Sequence, residues 1–239
     1  MNQEQTITAV LGVGPGLGAA LGERFATGGH AVALLSRSAR GRSSTVKKIE
    51  AGGGTALGYD CDAGDPASVA AAFARIRDTL GDPSVLIYNA GSYAPGGILE
   101  IDPERFEAAW RANCYGGFLA AREVLPAMLE AGEGTILYTG ATAGLRGGAG
   151  FAGLAVGKFG LRALAQSLAR EFGPKGIHVA HVVIDGQIAT PTAHERQPDR
   201  AEETFLAPTD IAETYWQLYR QPPSTWTQEM DLRPHVEKF

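Results

Sequence analysis

Four glycines near residue 15 are spaced so that they could cradle a phosphate group. They directly follow an apolar run at residues 6–11 and open a segment in which apolar residues recur every four positions. In such a strand–turn–helix, glycine allows a tight turn and lets backbone N–H groups approach a pyrophosphate, and the helix N-terminus adds the positive end of its dipole. The sequence therefore predicts a dinucleotide bound through the glycines and the first residue of the helix. These residues are Gly12, Gly14, Gly16, Leu17 and Gly18.

The residues after the next apolar run predict which dinucleotide binds. Ser36 and Arg37 follow the run at residues 31–35. An acidic residue here would accept hydrogen bonds from the adenine ribose of NAD and repel a 2′-phosphate. A hydroxyl beside a guanidinium suits a 2′-phosphate, because arginine forms charge-assisted bonds with it, and Arg40 and Arg42 add positive charge to the segment. NADP(H) is therefore predicted and NAD(H) is less favoured, unless Arg37 is only a solvated surface residue.

Short β-branched runs alternate with longer segments of helical period along the whole chain. This alternation is typical of βαβ units around a parallel sheet. Since no repeat or low-complexity linker divides the chain, residues 1–239 are predicted to form a single α/β domain, a Rossmann-like, doubly wound parallel sheet of seven strands with helices on both faces. The predicted strands are residues 6–11, 31–35, 55–59, 85–88, 135–138, 178–184 and 229–232.

The composition excludes several classes of protein. With 44% hydrophobic and 20% charged residues, the chain is predicted to be globular with a sizeable core. A net charge of −5 without a basic patch predicts neither a nucleic-acid partner nor an anionic membrane, and no apolar run approaches the ~20 residues that span a bilayer. Cys61 and Cys114 lack CxxC spacing, so no metal site is predicted. Since no signal peptide is recognisable, the expected location is the cytoplasm.

The order of these and further motifs resembles the short-chain dehydrogenase/reductase family over nearly the whole chain. The glycine turn is similar to that family's TGxxxGxG pattern, with Leu11 where the family usually has Thr. Asp62-Ala63-Gly64-Asp65 resembles the segment after its third strand, and Asn89-Ala90-Gly91 resembles its NNAG motif. The sequence at residues 185–190 is similar to the family's PGxxxT loop, although Asp185 replaces the Pro.

The resemblance implies cofactor contacts beyond the glycine turn. In the family, the first Asp of the segment after the third strand meets the adenine, and the PGxxxT loop holds the nicotinamide carboxamide. Each motif also has a plainer interpretation, since Asn89 could cap a loop and Thr190 could begin a helix. The contacts implied in this way are Asp62, Ala63, Asn89, Ala90, Gly91, Lys158, Gly186, Ile188 and Thr190.

The resemblance also implies four catalytic positions, of which two keep the family's residue. The family uses a Tyr in a YxxxK pair as acid or base, a Lys that lowers the Tyr pKa and binds the nicotinamide ribose, a Ser that holds the substrate oxygen, and an Asn. Lys158 and Asn113 match the Lys and the Asn, but Leu154 and Ala141 stand at the Tyr and Ser positions. Neither replacement can donate or accept a proton.

Several groups could take over the missing proton transfer. Thr142 follows the missing Ser directly, and its hydroxyl makes it a catalytic candidate beside Lys158 and Asn113. Tyr93 and Tyr138 carry phenols near strand ends, although aromatic residues there usually pack in the core. Lys158 itself could act if desolvation lowered its pKa.

Two classes of function follow from this pattern. The first is an NADP(H)-dependent oxidoreductase with an altered proton relay, which reduces a carbonyl or a conjugated C=C bond. The alternative is a non-catalytic NADP(H)-binding protein with a structural or redox-sensing role. The presence of Lys158 and Asn113 favours the enzyme, because a structural protein has no need to organise the nicotinamide end.

The substrate is a small molecule whose identity the sequence does not specify. Residues 191–205 are expected to form a loop over it, and the charged side chains of that segment suit a polar or anionic compound or a solvated mobile lid. These side chains are His194, Glu195, Arg196 and Arg200. The resemblance further implies a homodimer or homotetramer, with interfaces formed by the helices around Asn113 and Lys158.

Overall fold

The apolar runs form the strands of one parallel sheet in the computed structural model, which describes residues 5–237. The strands along the chain are β1 Ile7–Leu11, β2 Ala31–Ser36, β3 Thr55–Asp60, β4 Val85–Tyr88, β5 Gly134–Thr139, β6 Ile177–Ile184, β7 Gln187–Ile188, β8 Phe205–Leu206 and β9 Glu229–Leu232. Seven of them pair in parallel in the order β3-β2-β1-β4-β5-β6-β9, and β7 pairs separately with β8. The predicted seven-stranded parallel sheet is confirmed.

Helices cover both faces of this sheet. They are α1 Leu17–Thr27, α2 Ala39–Ala51, α3 Pro66–Thr79, α4 Pro103–Trp110, α5 Gly116–Ala131, α6 Ala152–Phe172, α7 Pro191–Arg196 and α8 Pro208–Tyr219. Successive side chains of a strand point to opposite faces, so Ala9 and Leu11 of β1 pack with α3, α5 and α6, whereas Val10 packs with α1, α2 and α8. The doubly wound arrangement is thus confirmed. Among residues 5–237, none of the helices has the length and apolar character needed to cross a membrane.

The strand order reverses at β1, which has β2 on one side and β4 on the other. In open α/β sheets, ligands bind at such a reversal, outside the carboxyl ends of the strands. The glycine turn follows β1 at this edge, and the loop of residues 89–92 follows β4 beside it. The fold therefore brings the predicted binding motifs to one crevice.

The long helix predicted to contain Asn113 is interrupted by a π-helical turn, Arg111–Tyr115, between α4 and α5. Polar side chains donate hydrogen bonds to backbone carbonyl oxygens in this stretch. Tyr88 Oη donates to the Ala112 carbonyl oxygen at 2.7 Å, and Asn113 Nδ2 donates to the Ala109 carbonyl oxygen at 2.9 Å. These bonds satisfy carbonyls that a widened helical turn would otherwise leave without partners.

Residues 191–205, predicted as a loop, contain regular structure, so that prediction was wrong in part. Pro191–Arg196 forms α7, and Phe205–Leu206 pairs with β7. Thr190 Oγ1 accepts a hydrogen bond from the Ala193 N–H at 3.1 Å and so caps α7. A helix of six residues is too short to show a helical period in the sequence.

Candidate active site

The glycine turn packs tightly against the loop that follows β4. Gly12 has a φ of +105°, which side chains other than glycine rarely adopt, and a Cβ there would lie 2.4 Å from the backbone nitrogen of Ala90. A Cβ on Gly18 would lie 2.4 Å from the carbonyl oxygen of Gly12. Asn89 Nδ2 donates to that same oxygen at 2.9 Å. Gly12 and Gly18 therefore hold the shape of the turn, and the Asn89 side chain ties the ends of β1 and β4 together.

A cavity of about 540 Å³ opens at this edge of the sheet, between the glycine turn, the end of β2 and the segments after β3 and β4. A Cβ on Gly14 would meet nothing within 4 Å, and no side chain caps the N-terminus of α1. The cradle is open and its helix end can receive an anion, so the residues present fit a dinucleotide. Of the predicted contacts, those lining this cavity are Gly12, Gly14, Ser36, Arg37, Asp62, Ala63, Asn89, Ala90 and Gly91.

The other predicted contacts lie outside that lining. They are Gly16, Leu17, Gly18, Lys158, Gly186, Ile188 and Thr190. Gly16 lies against the loop after β6, because a Cβ there would be 2.6 Å from Thr190 Cγ2. Gly186 has a φ of +154°, and Ile188 belongs to β7. The structure thus brings the loop after β6 against the glycine turn, and its role as a cofactor contact stays a prediction.

The end of β2 carries an exposed positive charge. Arg37 is exposed, and within residues 5–237 no hydrogen bond or ion pair engages its side chain. Arg42 was predicted to add positive potential, and this prediction was wrong: its guanidinium is buried, with Nη2 2.6 Å from Asp60 Oδ1, so the carboxylate balances its charge. The side chain of Arg40 lies outside the described part of the structure.

Local hydrogen bonds shape the segment after β3. Asp62 Oδ1 accepts a hydrogen bond from the Gly64 N–H, and the Asp62 N–H donates to Ser68 Oγ, both at 2.9 Å. Asp65 caps α3 by accepting from the N–H groups of Ala67 and Ser68. Asp62 therefore lines the cavity in a fixed backbone conformation, with one carboxylate oxygen engaged locally.

Lys158 brings an ammonium group to the other end of the crevice. Its side chain is buried, and Nζ donates to the Thr139 carbonyl oxygen at 2.8 Å. A Cβ on Gly91 would lie 3.7 Å from Nζ, so the ammonium group is next to the loop after β4. Burial lowers the pKa of Lys158 to about 8, because the charged form loses hydration. This group can hold or release a proton near neutral pH.

Asn113 is buried completely and bonded to the backbone on every side. Nδ2 donates to the carbonyl oxygens of Ser92 and Ala109, at 2.8 and 2.9 Å, and Oδ1 accepts from the Ser92 N–H at 3.2 Å. These bonds attach the loop after β4 to the π-helical turn. The side chain of Asn113 is therefore placed to position Gly91 and Ser92, and a catalytic role for it stays a prediction.

Leu154 lies on α6 with Lys158, and Ala141 directly precedes the turn that packs against the lysine backbone. Leu154 lies one turn before Lys158 on the same face of α6, as residues four apart do. Ala141 ends the extended stretch after β5, just before the short turn Thr142–Gly144. A Cβ on Gly144 would lie 3.1 Å from the Lys158 carbonyl oxygen, so this turn packs against the lysine backbone. Neither apolar residue can supply a proton.

The hydroxyl of Thr142 is engaged elsewhere. Thr142 Oγ1 donates to Asp185 Oδ1 at 2.5 Å, and Asp185 is itself buried, with Oδ2 3.4 Å from Arg233 Nη2. A hydroxyl that donates to a carboxylate cannot at the same time donate to a substrate oxygen. The geometry thus gives Thr142 a partner in the fold. Asp185 replaces the Pro of the family's loop, and its bond with Thr142 could not be predicted because the two residues lie far apart along the chain.

The two tyrosines considered as proton donors differ in exposure. Tyr138 is fully buried, its Oη donates to the Gly117 carbonyl oxygen at 3.1 Å, and burial raises its pKa. Tyr138 is therefore a core residue. Tyr93 is 62% exposed, and its ring lies 5.8 Å from that of Phe151 at the rim of the crevice.

A partly buried polar cluster beneath α6 was not predicted from the sequence. Glu229 accepts two hydrogen bonds from Arg162, at 2.6 and 2.7 Å, and a third contact joins its Oε2 to His181 Nδ1 at 3.0 Å. His181 Nε2 has no partner within the described residues. Burial lowers the pKa of His181, against the effect of Glu229. The three residues belong to α6, β6 and β9, so no local spacing in the sequence could have revealed them.

Comparisons with known proteins agree with this architecture. The model of the short chain dehydrogenase family matches residues 6–201. A crystal structure of a short-chain dehydrogenase from Rhodopseudomonas palustris is 39% identical, with a TM-score of 0.83, over 98% of this chain and 100% of that one. The short-chain reductase protein NovJ of Streptomyces niveus is 31% identical over 192 residues, which are 80% of this chain and 72% of NovJ.

A crystal structure of a single-residue variant of actinorhodin polyketide ketoreductase with NADPH covers both chains completely, at 25% identity and a TM-score of 0.89. The family match spans most of the chain, and the match to NovJ covers more than two thirds of each protein. These likenesses, together with the nucleotide cradle at the reversal of the strand order, make this chain a member of the short-chain dehydrogenase family, whose members are NAD(P)-dependent oxidoreductases.

Proposed function

We propose that this protein is an NADP(H)-dependent reductase with an altered proton relay, acting on a carbonyl or on a conjugated C=C bond. The observation that carries the proposal is Lys158: a buried amine with a pKa of about 8 lies beside Gly91, in a crevice where Leu154 and Ala141 replace the usual proton-transfer groups. An enzyme that must move a proton at neutral pH needs a group that titrates near that pH.

The cofactor assignment rests on the edge of β2. Ser36 and Arg37 line the cavity where the adenine ribose would lie, and Arg37 offers donors suited to a 2′-phosphate. Asp62 would face the adenine, the glycine turn would hold the pyrophosphate, and Gly186, Ile188 and Thr190 would meet the nicotinamide. When bound, the dinucleotide supplies the hydride. NADP(H) is proposed over NAD(H), and the ketoreductase relative was solved with NADPH.

Lys158 would serve as the proton source. At pH 7 it is mainly protonated, because its pKa lies about one unit higher. Its ammonium group donates toward the developing negative charge on the substrate oxygen and is recharged from solvent. Asn113 holds the loop after β4 in place beside it. General acid–base assistance of this kind contributes about 10²–10⁴ in rate.

The small-molecule substrate is proposed to bind where the loop after β4 meets the segment before α6. The Gly96 N–H donates to the Gly150 carbonyl oxygen at 2.9 Å, which joins the loop after β4 to the one before α6. In the segment after β7, Arg200 is engaged by Gln197 and Thr204. That arginine is therefore held within its own segment, and the expected attraction for an anionic substrate falls to the other charged residues there.

A specific observation favours the alternative, a non-catalytic NADP(H)-binding protein. The polar atoms of Asn113 and the hydroxyl of Thr142 are engaged by groups of the fold, and Leu154 and Ala141 carry no polar atom. Under this alternative Lys158 binds the cofactor ribose only. We further propose a homodimer or homotetramer in the cytoplasm, without a nucleic-acid partner.

The test restores the missing groups. The double variant Ala141→Ser with Leu154→Tyr is expected to raise NADPH-dependent reduction of simple ketones by about 10²-fold over the wild type, because the phenol shares a helix face with Lys158. The matched control is Ala141→Ser with Leu154→Phe, which adds the same ring without its hydroxyl and should gain nothing. Turnover is measured as loss of NADPH absorbance.

Turnover assays of the wild type distinguish the proposed reductase from the non-catalytic alternative. Turnover with at least one enone or activated ketone, lost in Lys158→Met, supports the altered relay. If the wild type turns over none of these substrates although it binds NADPH, the non-catalytic alternative replaces the proposal. If the wild type already reduces simple ketones at ordinary rates of about 1–10³ per second and Lys158→Met keeps that rate, a group other than Lys158 is the acid.

A further inference from the structure

An acidic residue lies beside Ser36 at the edge where the 2′-phosphate is proposed to bind. Ser36 of β2 and Asp60 of β3 are partners in the parallel ladder, and neighbouring strands lie about 4.8 Å apart. The Asp60 side chain is 75% exposed. An unpaired carboxylate here would act as the acidic residue of NAD-specific sites does, by repelling a 2′-phosphate.

Arg42 from α2 holds this carboxylate and the end of β2 at once. Nη2 donates to Asp60 Oδ1 at 2.6 Å, and Nη1 donates to the carbonyl oxygens of Tyr59 and Ser36 at 2.6 and 2.9 Å. Nη1 also lies 3.3 Å from Ser36 Oγ. The guanidinium is buried, although its carboxylate partner is exposed. The arginine is therefore part of the floor beneath Ser36.

β3 has a glycine at the position where the Arg42 side chain packs on it. A Cβ on Gly58 would lie 2.7 Å from Arg42 Nε and 3.1 Å from its Cδ, so a side chain at this position would displace the arginine. The contact with Arg42 also holds the pKa of the Asp60 carboxyl below its usual range, so the carboxylate stays charged and paired. The ion pair is thus built into the packing of α2 on β3.

We infer that the Arg42–Asp60 pair is a specificity element for the 2′-phosphate: Arg42 neutralises the acidic side chain beside Ser36 and leaves Arg37 as an uncompensated charge at this edge. The inference rests on the proposed preference for NADP(H). Arg42 acts as a positioning residue, since its donors are taken up by Asp60 and by the backbone. Arg37 remains the residue that would meet the phosphate.

Asp60→Asn is the sharpest test, because asparagine keeps an oxygen that can accept from Arg42 and loses only the negative charge. The ratio of NADPH to NADH affinity is expected to rise about three- to tenfold, as one charge roughly 6–10 Å away would cause at the surface of a protein. Affinity for NADH should stay within about twofold. Both constants come from fluorescence titration of the full-length protein, and the gain should shrink at high salt.

A second variant removes the positive charge of the ion pair. Arg42→Met leaves the Asp60 carboxylate unpaired and should lower the NADPH to NADH ratio by about tenfold, and adding Asp60→Asn to it should restore much of the ratio. The matched control is Glu23→Gln, which takes a carboxylate from the Glu23–Lys48 ion pair between α1 and α2 and changes the net charge equally. This control should leave the ratio unchanged.

The possible outcomes distinguish a failure of this inference from a failure of the proposed cofactor preference. A wild type that binds NADPH and NADH equally overturns the proposed cofactor preference, whatever the variants do. A wild type that prefers NADPH, with Asp60→Asn and Glu23→Gln both leaving the ratio unchanged, overturns the role of the ion pair and leaves the preference standing. If Arg42→Met does not fold, the comparison of Asp60→Asn with Glu23→Gln still decides.

Discussion

The amine of Lys158 is buried, and burying its charged form lowers the free energy of unfolding. Its pKa in the folded protein is about 8, against an ordinary value of 10.5. A residue placed for proton transfer is commonly not the one that packs best, because function and stability make different demands on a buried site. The same side chain should therefore be both the centre of the chemistry and a weak point of the cofactor-free fold.

Lys158→Met is expected to raise the free energy of unfolding of the cofactor-free protein by about 1–3 kcal/mol at pH 7, since each pKa unit corresponds to about 1.4 kcal/mol. Below pH 8 the folded and unfolded states both hold the proton, and the folded state bears the full cost of burying it. Between pH 8 and 10.5 only the unfolded chain holds the proton, so the wild type gains stability with rising pH and the advantage of the variant fades.

Urea unfolding from pH 6 to pH 10 measures this difference. Lys47→Met, at an exposed position of α2, is the control. Its free energy of unfolding should differ from that of the wild type by the same amount at every pH. If the difference in free energy of unfolding between the wild type and Lys158→Met stays constant from pH 6 to pH 10, this would contradict a buried amine with a lowered pKa.

Candidate site residues could be named from the sequence, but their hydrogen-bond partners could not. The glycine turn, Arg37 and Lys158 stand at recognisable spacings after strands. The partner of Thr142 is Asp185, which arrives from another strand. The sequence showed that Arg42 was near the proposed phosphate, yet only the packing of α2 on β3 shows that its charge is balanced by Asp60.

At the scale of elements, the central strands were predictable because they are buried on both faces. Every residue of β1, β4 and β6 is buried, so each is a mostly apolar run, which in β6 is interrupted by His178 and His181. α7 was missed because its six residues show no period. The π-helical turn was missed because polar side chains from β4 and from the turn itself stabilise it, and neither bond leaves a pattern in the local sequence.

The contact between the glycine turn and the loop after β6 gives a prediction at this scale. Gly16→Ala would place a methyl group 2.6 Å from Thr190 Cγ2, so the loop that begins α7 must move. NADPH affinity is expected to fall at least tenfold, or about 1.4 kcal/mol, with the circular dichroism spectrum unchanged. Gly173→Ala, just after α6 and outside the cavity lining, is the matched control, because a Cβ there meets nothing within 4 Å.

Fluorescence titration of both variants decides the point. Unchanged NADPH binding by a folded Gly16→Ala variant would mean that the close approach of Thr190 has no part in cofactor binding. Equal losses in the two variants would mean that the loss does not come from the contact between Gly16 and Thr190.

At the scale of the whole molecule, large apolar side chains remain exposed on neighbouring helices. Phe118 of α5 is 39% exposed, and Val156 and Phe159 of α6 are 47% and 41% exposed. α6 packs against the π-helical turn that leads into α5, since a Cβ on Gly160 would lie 2.7 Å from Cys114 Sγ. Exposed apolar groups gathered on adjacent helices are typical of a surface that pairs with another copy.

Phe159→Glu is accordingly expected to shift the proposed homo-oligomer toward monomer, because a charge buried in an interface without a partner is costly. Light scattering coupled to size exclusion measures the mass over a range of concentrations. Leu99→Glu is the control, since Leu99 is 97% exposed on the loop after β4. A wild type that is monomeric throughout, or a Phe159→Glu variant of unchanged mass, would contradict an interface at this face.

The π-helical turn has a consequence for how the length of this chain can change. A π-helical turn holds one residue more than a continuous α-helix would need over the same stretch. Losing a residue within Arg111–Tyr115 would let the ladder of hydrogen bonds close as an ordinary helix, so α4 and α5 could keep their places on the sheet. The anchor that Asn113 provides for Ser92 would be lost. We therefore expect a deletion here to change the shape of the crevice more than the architecture, and so to separate folding from function.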